Sequence, residues 1–148
     1  HLTSGEWGRF SVVLRDRLDL TEILVASRRR RALGGAFCIY LSAANQKREL
    51  ALSGLKEQFA QLTTGLISQQ EIDEAKRLAS GAYLIDIQHC RREVLEIAER
   101  LLFGQSVYDI RNYLKKIEAV NTKAISDVSQ EYFTPELWVE AIVPVAAP

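Results

Sequence analysis

The spacing of apolar residues changes along the chain and separates an extended part from a helical part. The segments Leu20–Ser27 and Gly34–Ser42 hold β-branched and aromatic residues over the length of a strand. We therefore predict two strands, joined by a turn region at the arginine run 28–31. The apolar positions that follow step by three and four residues, which predicts a helix that Gly65 ends; they are Leu52, Leu55, Phe59 and Leu62.

A capping-box sequence opens the next helical stretch. Ser68 and Glu71 stand three residues apart, so that each side chain can reach the backbone amide of the other. The helical pattern then runs to about Phe103. This length is unusual for a globular domain, and we expect a break near Gly81 or around His89.

The last third of the chain is predicted to hold two more helices and one strand. Ser106 and Asn121 are the expected N-caps. The segment Leu137–Val143 reads as a strand that Pro144 stops. The inward positions of the two helices are Ile110, Tyr113, Leu114 and Ile117, then Ile125, Val128 and Tyr132. Strands, then helices, then a strand predict an α+β fold in a single domain over residues 1–148. We expect an antiparallel sheet of about three to four strands, covered on one face by several helices.

Composition excludes several classes of protein. The 19 basic and 19 acidic residues give a net charge of zero, which argues against a dedicated nucleic-acid binder. The arginine run 28–31 is either a patch for a phosphate or an acidic partner, or a solvated hairpin end. No apolar run approaches the ~20 residues of a membrane span, so we expect a soluble protein. Cys38 and Cys90 are too few for a disulfide framework or a zinc ribbon.

Residue chemistry gives no self-contained active site. The histidines are His1 and His89, and we interpret His89 as a partly buried helix position rather than a base or ligand. The sequence lacks phosphate-binding glycine loops and the nucleophile elbow. The acidic pairs Glu71/Glu74 and Glu96/Glu99 are interpreted as solvated helix faces.

Five short segments follow one another in the order and spacing of a known family. They are the opening stretch Leu2–Phe10 with Val13–Arg15, the strand Gly35–Tyr40, the turn and helix within Phe59–Leu78, the segment Ile117–Thr122, and the segment Tyr132–Leu137. Together they resemble the pitrilysin/insulysin family of zinc peptidases, which includes the mitochondrial processing peptidases.

The resemblance implies that this chain is the second, zinc-less half of a family unit. The family's zinc motif, H-x-x-E-H, belongs to the first half of the active unit and has no counterpart here. No metal or other cofactor is therefore expected in this chain, and zinc is expected in a partner domain or subunit. The implied partners are the rest of the polypeptide or a zinc-bearing homologous subunit, together with a peptide substrate.

The resemblance also implies one auxiliary residue. In the family an arginine, followed seven residues later by a tyrosine, reaches toward the peptide bound at the zinc. Arg15 stands at the arginine position, Glu22 replaces the tyrosine, and Asp19 replaces a glycine. Arg15 is thus either a substrate-orienting residue or a helix-end cation in a local salt bridge.

Three functions remain open from the sequence. The chain is expected to form part of a peptide-binding chamber, to be a structural homologue without a peptidase role, like the core subunits of respiratory complexes, or to be an unrelated protein-binding module. The family's order places a strand and a helix before the opening stretch. We therefore expect a fragment truncated at its N-terminus, with a fourth strand supplied from the missing part.

Overall fold

The computed structural model describes residues 2–3, 5, 8–31, 34–104, 106 and 112–143. A short first helix, α1, comprises Arg9–Ser11 and a π-helical continuation, Val12–Arg17. Phe10 and Leu14 are four residues apart on its inner face and are fully buried.

Residues 18–20 form the turn that closes α1, so that the first strand begins only after them. The amide of Leu18 donates to the carbonyl of Val13 at 3.0 Å, and the amide of Leu20 donates to that of Leu14 at 2.8 Å. Asp19 follows with a φ of 49°, the left-handed region that few residues other than glycine, Asn and Asp adopt. The predicted strand start at Leu20 is therefore wrong, because Leu20 still belongs to the turn that closes this helix.

The sheet is an antiparallel hairpin of β1, Ile23–Arg31, and β2, Gly34–Ser42. On one face Leu24 is buried, and Leu41, its partner in the register, packs against the core. On the other face Val25 and its partner Tyr40 stay largely exposed. The described residues thus contain two strands rather than the predicted three to four.

The arginine run does not form the turn that the sequence predicted. Positions 28–31 are the last four residues of β1, in register with Phe37 back to Gly34. The ladder joins backbone groups, so the positive charge of the side chains does not prevent pairing along the arginines. Residues 32–33, which connect the two strands in the sequence, lie outside the described part of the chain.

Two helices follow the hairpin and contribute half of the buried core residues. A short 3-10 turn, Asn45–Lys47, leads into α2, Arg48–Thr63. Gly65, with a φ of 73°, ends the following turn. The third helix, α3, comprises Gln69–Asp86, and its predicted capping box is confirmed in both directions.

The predicted break in the long helical stretch lies at His89 rather than at Gly81. Gly81 is inside α3, and α4, Cys90–Leu102, starts directly after His89. His89 is the N-cap of this helix and is exposed, so its interpretation as a partly buried helix position is wrong. Its backbone carbonyl accepts from the amides of Arg92 and Glu93, at 2.8 and 3.1 Å.

Two shorter helices complete the helical part within the described residues. The fifth helix, α5, comprises Tyr113–Glu118, and the sixth, α6, comprises Thr122–Tyr132. Asn121 caps α6 as predicted, since its side chain accepts from the amide of Ala124 at 2.9 Å. The other predicted helix was expected to begin at the N-cap Ser106 and to turn Ile110 inward. Its first residues, 107–111, lie outside the described part of the chain.

The predicted closing strand Leu137–Val143 is wrong. Pro135–Leu137 forms a 3-10 turn, and residues 138–143 form no regular structure. The Trp138 ring packs on Phe59 instead, with 4.9 Å between ring centroids, while Val139 is 97% exposed. A strand needs a neighbour for its backbone groups, and none of the described segments pairs with this one.

The core lies between the hairpin and the inner faces of α1, α2 and α3. Its buried residues are Phe10, Leu14, Leu24, Leu55, Phe59, Leu62, Ile67 and Ile72. Phe59 is central, because its ring contacts Phe10, Phe133 and Trp138 at centroid distances of 4.8 to 5.0 Å. No helix within the described ranges has the length and apolarity that a membrane crossing requires.

Candidate functional site around Arg15

Arg15 lies at the boundary between the buried and the open side of α1. The preceding residue, Leu14, is fully buried, whereas the Arg15 side chain is 33% exposed. The burial of Phe10 and Leu14 fixes the rotation of α1 about its axis. The same packing therefore places Arg15 at the surface, near the end of the helix.

The Arg15 guanidinium forms an ion pair with the next residue. Its Nε donates to Oδ1 of Asp16 at 2.7 Å, and Nη2 donates to Oδ2 at 3.3 Å. This hydrogen bond, helped by the positive charge, lowers the pKa of Asp16, and slight desolvation opposes the effect. The predicted alternative of a local salt bridge is therefore present in the structure.

The turn after α1 is held by Asp19. Its backbone carbonyl and its Oδ2 both accept from Nζ of Lys47, each at 2.6 Å. The contact joins the end of α1 to the segment before α2. It also stabilises a left-handed residue at the position where the family resemblance expects glycine.

Glu22 lies at the foot of β1 with an exposed side chain. Its backbone amide donates to the carbonyl of Ser42 at 3.0 Å, and the Thr21 hydroxyl donates to the same carbonyl at 2.6 Å. Arg15 and Glu22 thus occupy the two sides of the turn between α1 and β1. An ionised carboxylate only accepts hydrogen bonds, so Glu22 cannot donate as a tyrosine hydroxyl would.

Sequence analysis did not identify Arg9, which is the most connected cation of the described residues. Its side chain is only 11% exposed. Nε donates to Oε1 of Gln58 at 3.0 Å and Nη1 to Oε1 of Glu71 at 2.8 Å, while Nη2 donates to Gln61. Its position directly before the buried Phe10 was the only available sequence signal, because its partners lie 49 to 62 residues away.

An open groove of about 1040 Å³ runs beside Arg9, between α1 and the helices α2 and α3. Its walls are mixed and include Arg17, Leu18, Gln61 and Glu74. Arg9 already donates to three side chains that hold these helices together. We therefore assign Arg9 a structural role. The interpretation of Glu71 as part of a solvated face is wrong, because its carboxylate pairs with this largely buried arginine.

The other titratable side chains that the sequence singled out are dispersed. His89, Cys38 and Cys90 are all exposed, and both thiols are free. Glu96 pairs with Arg100 at 2.6 Å within α4. Within the described ranges no group of three or more His, Cys, Asp or Glu residues could hold a metal ion.

Comparison with known proteins shows a likeness in fold. No family model and no curated protein sequence matches the chain. Among solved structures, the crystal structure of a protease from Helicobacter pylori is similar, with a TM-score of 0.78 and 17% sequence identity. The match covers 88% of this chain and 32% of that protease, so the chain spans about a third of its length. The chain thus has a fold that is also found within a protease.

Proposed function

We propose that this chain is a zinc-less unit of a pitrilysin/insulysin-type peptidase and forms part of the wall of its peptide-binding chamber. The observation that carries the proposal is the TM-score of 0.78 with the Helicobacter pylori protease over 88% of this chain. In this proposal the zinc belongs to another domain or to a homologous subunit, and the present chain contributes shape and contacts to the substrate.

Local geometry at the resembling segments supports the proposal. Gly65 opens the turn Gly65–Ser68, which is one of the segments that resemble the family, and its φ of 73° disfavours residues other than glycine. Ser68 and Glu71 cap the helix that follows. The turn after α1 needs a left-handed residue at Asp19, which is the geometry that a glycine would serve. The segments that resemble the family thus have structural reasons for their residue types.

Arg15 is the residue that we propose to orient the substrate. One third of its side chain is exposed, and its guanidinium pairs with Asp16. A guanidinium forms charge-assisted hydrogen bonds with oxygen acceptors, which is the chemistry that orientation of a peptide backbone requires. Because Glu22 replaces the tyrosine, we propose no stabilisation of an oxyanion from this chain.

One observation favours a second candidate, a structural homologue without a peptidase role. Arg15 is paired with Asp16, and Glu22 cannot perform the task of the tyrosine. A chain that had lost its part in catalysis would keep the fold and tolerate these changes. An unrelated protein-binding module is a third candidate, since a likeness in fold does not specify activity.

The test uses the complete protein that carries this sequence, purified with the subunits that accompany it. Turnover of internally quenched peptides is measured before and after zinc chelation and zinc restoration. We expect zinc-dependent turnover, which Arg15→Ala lowers by about tenfold to hundredfold through lost positioning. The matched variant Arg17→Ala, an exposed arginine on the same helix, should retain turnover.

Three results would contradict the proposal. Absence of peptide turnover in the wild-type protein would favour the structural homologue. Equal losses in Arg15→Ala and Arg17→Ala would remove the specific role of Arg15. A fall in the melting temperature of Arg15→Ala that accounts for its lost turnover would make Arg15 a structural residue.

A further inference from the structure

The far half of the hairpin carries concentrated positive charge. Four consecutive arginines occupy positions 28–31 of β1. Their partners in the register are Phe37, Ala36, Gly35 and Gly34, which bring no carboxylate. Arg28 and Arg29 are exposed, and among the side chains that the structure describes neither forms a hydrogen bond or an ion pair. Within the described part of the chain these two cations therefore have no partner.

The same strand has an open edge within the described residues. β1 pairs only with β2, and no backbone hydrogen bond joins positions 23–31 to a third described segment. Along such an edge, alternate residues present their N–H and C=O groups to whatever lies beside them. Backbone pairing and positive charge are thus available on the same stretch of chain.

We infer that this edge of β1, at positions 28–31, binds an extended acidic segment of a partner protein as an added strand. Successive residues of a strand lie on opposite faces, so Arg28 and Arg29 make both faces of the ribbon positive. The side chains of an added strand alternate in the same way, and acidic residues at neighbouring positions would face arginines on both faces. A ligand that lies against one face would meet only half of the charge.

Charge distribution favours an acidic protein segment over the other occupants of such an edge. The chain as a whole has a net charge of zero, so it lacks the general positive field that attracts nucleic acid. A second copy that paired its own β1 in the same orientation would set arginine against arginine, which is repulsive. This binding surface needs no peptide turnover and is independent of the proposed function.

The test measures binding of short peptides, at low and high salt, to the complete protein that carries this sequence. The probe is a blocked peptide that repeats two glutamates and two threonines, so that glutamates lie on both faces, and it is ~8 residues long like a typical strand. The comparison probes are a version with proline in place of each threonine, which lacks the amide donors of those positions, and a single-stranded oligothymidine. The variant is Arg28→Gln with Arg29→Gln, and the charge-matched control is Arg77→Gln with Arg91→Gln, two exposed arginines on helices.

We expect the glutamate peptide to bind and to protect alternate amides of β1 from hydrogen exchange. Binding should weaken about tenfold in the Arg28/Arg29 variant and at high salt, and it should persist in the control variant. The proline peptide should bind more weakly than the glutamate peptide. The inference is overturned if the glutamate peptide does not bind the wild-type chain, if the proline peptide binds equally well, or if both double variants lose affinity equally. Tighter binding of the oligothymidine would overturn it in favour of a nucleic-acid surface.

Discussion

Oε1 of Glu71 lies 2.8 Å from Nη1 of Arg9, while Oε2 of the same carboxylate accepts from the backbone amide of Ser68 at 3.0 Å. One side chain therefore caps α3 and also attaches α1 to it. Arg9 donates in addition to two glutamine side chains of α2. The three helices that surround the core are thus joined by a single connected set of hydrogen bonds.

We expect Glu71→Ala to lower the free energy of unfolding by about 1–3 kcal/mol, because it removes both the cap and the partner of a largely buried arginine. The control is Glu74→Ala, one turn further along α3, whose carboxylate accepts only from the exposed Gln70 amide. That change should stay within about 0.5 kcal/mol of the wild type. Denaturant unfolding of both variants gives the comparison, and equal losses would argue against the dual role of Glu71.

A double-mutant cycle separates the ion pair from the cap. Arg9→Ala and Glu71→Ala should be non-additive, with a coupling energy of about 0.5–3 kcal/mol for residues in direct contact. Ser68→Ala removes the capping hydroxyl but leaves the contact of Arg9 with Glu71 in place. Combined with Arg9→Ala, it should therefore show a smaller coupling energy.

Two glycines inside helices should respond in opposite ways to the same substitution. A Cβ on Gly54 would lie 2.9 Å from Cδ2 of Leu14, which is fully buried, whereas nothing lies within 4 Å of a Cβ on Gly81. Alanine favours a helix over glycine by about 1 kcal/mol. We therefore expect Gly81→Ala to raise the melting temperature and Gly54→Ala to lower it, because overpacking costs about 1–3 kcal/mol.

Thermal unfolding of the two variants, followed by circular dichroism, checks this prediction. A higher melting temperature for Gly54→Ala would mean that Leu14 moves aside without cost. In that case the close approach of α1 to α2 would not depend on glycine at position 54.

The sequence predicts those elements whose signals are local. The hairpin strands, the capping box at Ser68 and the cap at Asn121 each depend on residues within a few positions, and the structure contains all of them. The arginine run was assigned to a turn because charged residues are common at hairpin ends. Strand pairing continues through it to Gly34 and Gly35, because ladder hydrogen bonds join backbone groups and do not depend on the charge of the side chains.

Features that depend on distant partners could not be predicted. The segment after Leu137 has the composition of a strand, but Trp138 packs on Phe59 and no described strand lies beside the segment. Arg9 looks like any exposed cation in the sequence, and its partner Glu71 is 62 residues away. For the candidate site, the resemblance located Arg15, whereas its pairing with Asp16 depends on side-chain geometry that residue spacing does not specify.

Replacement of Asp19 should reveal the need for a left-handed residue after α1. Asp19→Gly keeps the backbone angle without strain but loses the side-chain contact with Lys47, so we expect a change within about 1 kcal/mol. Asp19→Val places a β-branched side chain at a φ of 49° and should cost about 1–3 kcal/mol. Lys47→Ala in the wild-type and Asp19→Gly backgrounds measures the side-chain contact separately. Equal stability of the glycine and valine variants would show that the backbone angle is not restrictive.

The ion pair between Arg15 and Asp16 should depend on pH in a defined direction. The hydrogen bond from Arg15, which is the larger cause, and the positive charge of Arg15 hold the pKa of Asp16 below its ordinary value. The pair therefore contributes stability above the ordinary pKa of an aspartate, and this contribution is lost as the pH falls through the lowered pKa of the folded state. Because Asp16 is at the surface, the effect on total stability should be small, and the titration of the carboxyl itself is the better measurement.

Arg15→Gln should raise the pKa of Asp16 toward its ordinary value, as followed by the side-chain carboxyl resonance in an NMR titration from neutral to acidic pH. Arg17→Gln removes the same charge one residue beyond Asp16, where no contact with Asp16 is described, and should leave the titration close to that of the wild type. Added salt should raise the wild-type value and have less effect on Arg15→Gln. If Arg15 instead leaves Asp16 free in solution, the wild type and Arg15→Gln will titrate alike.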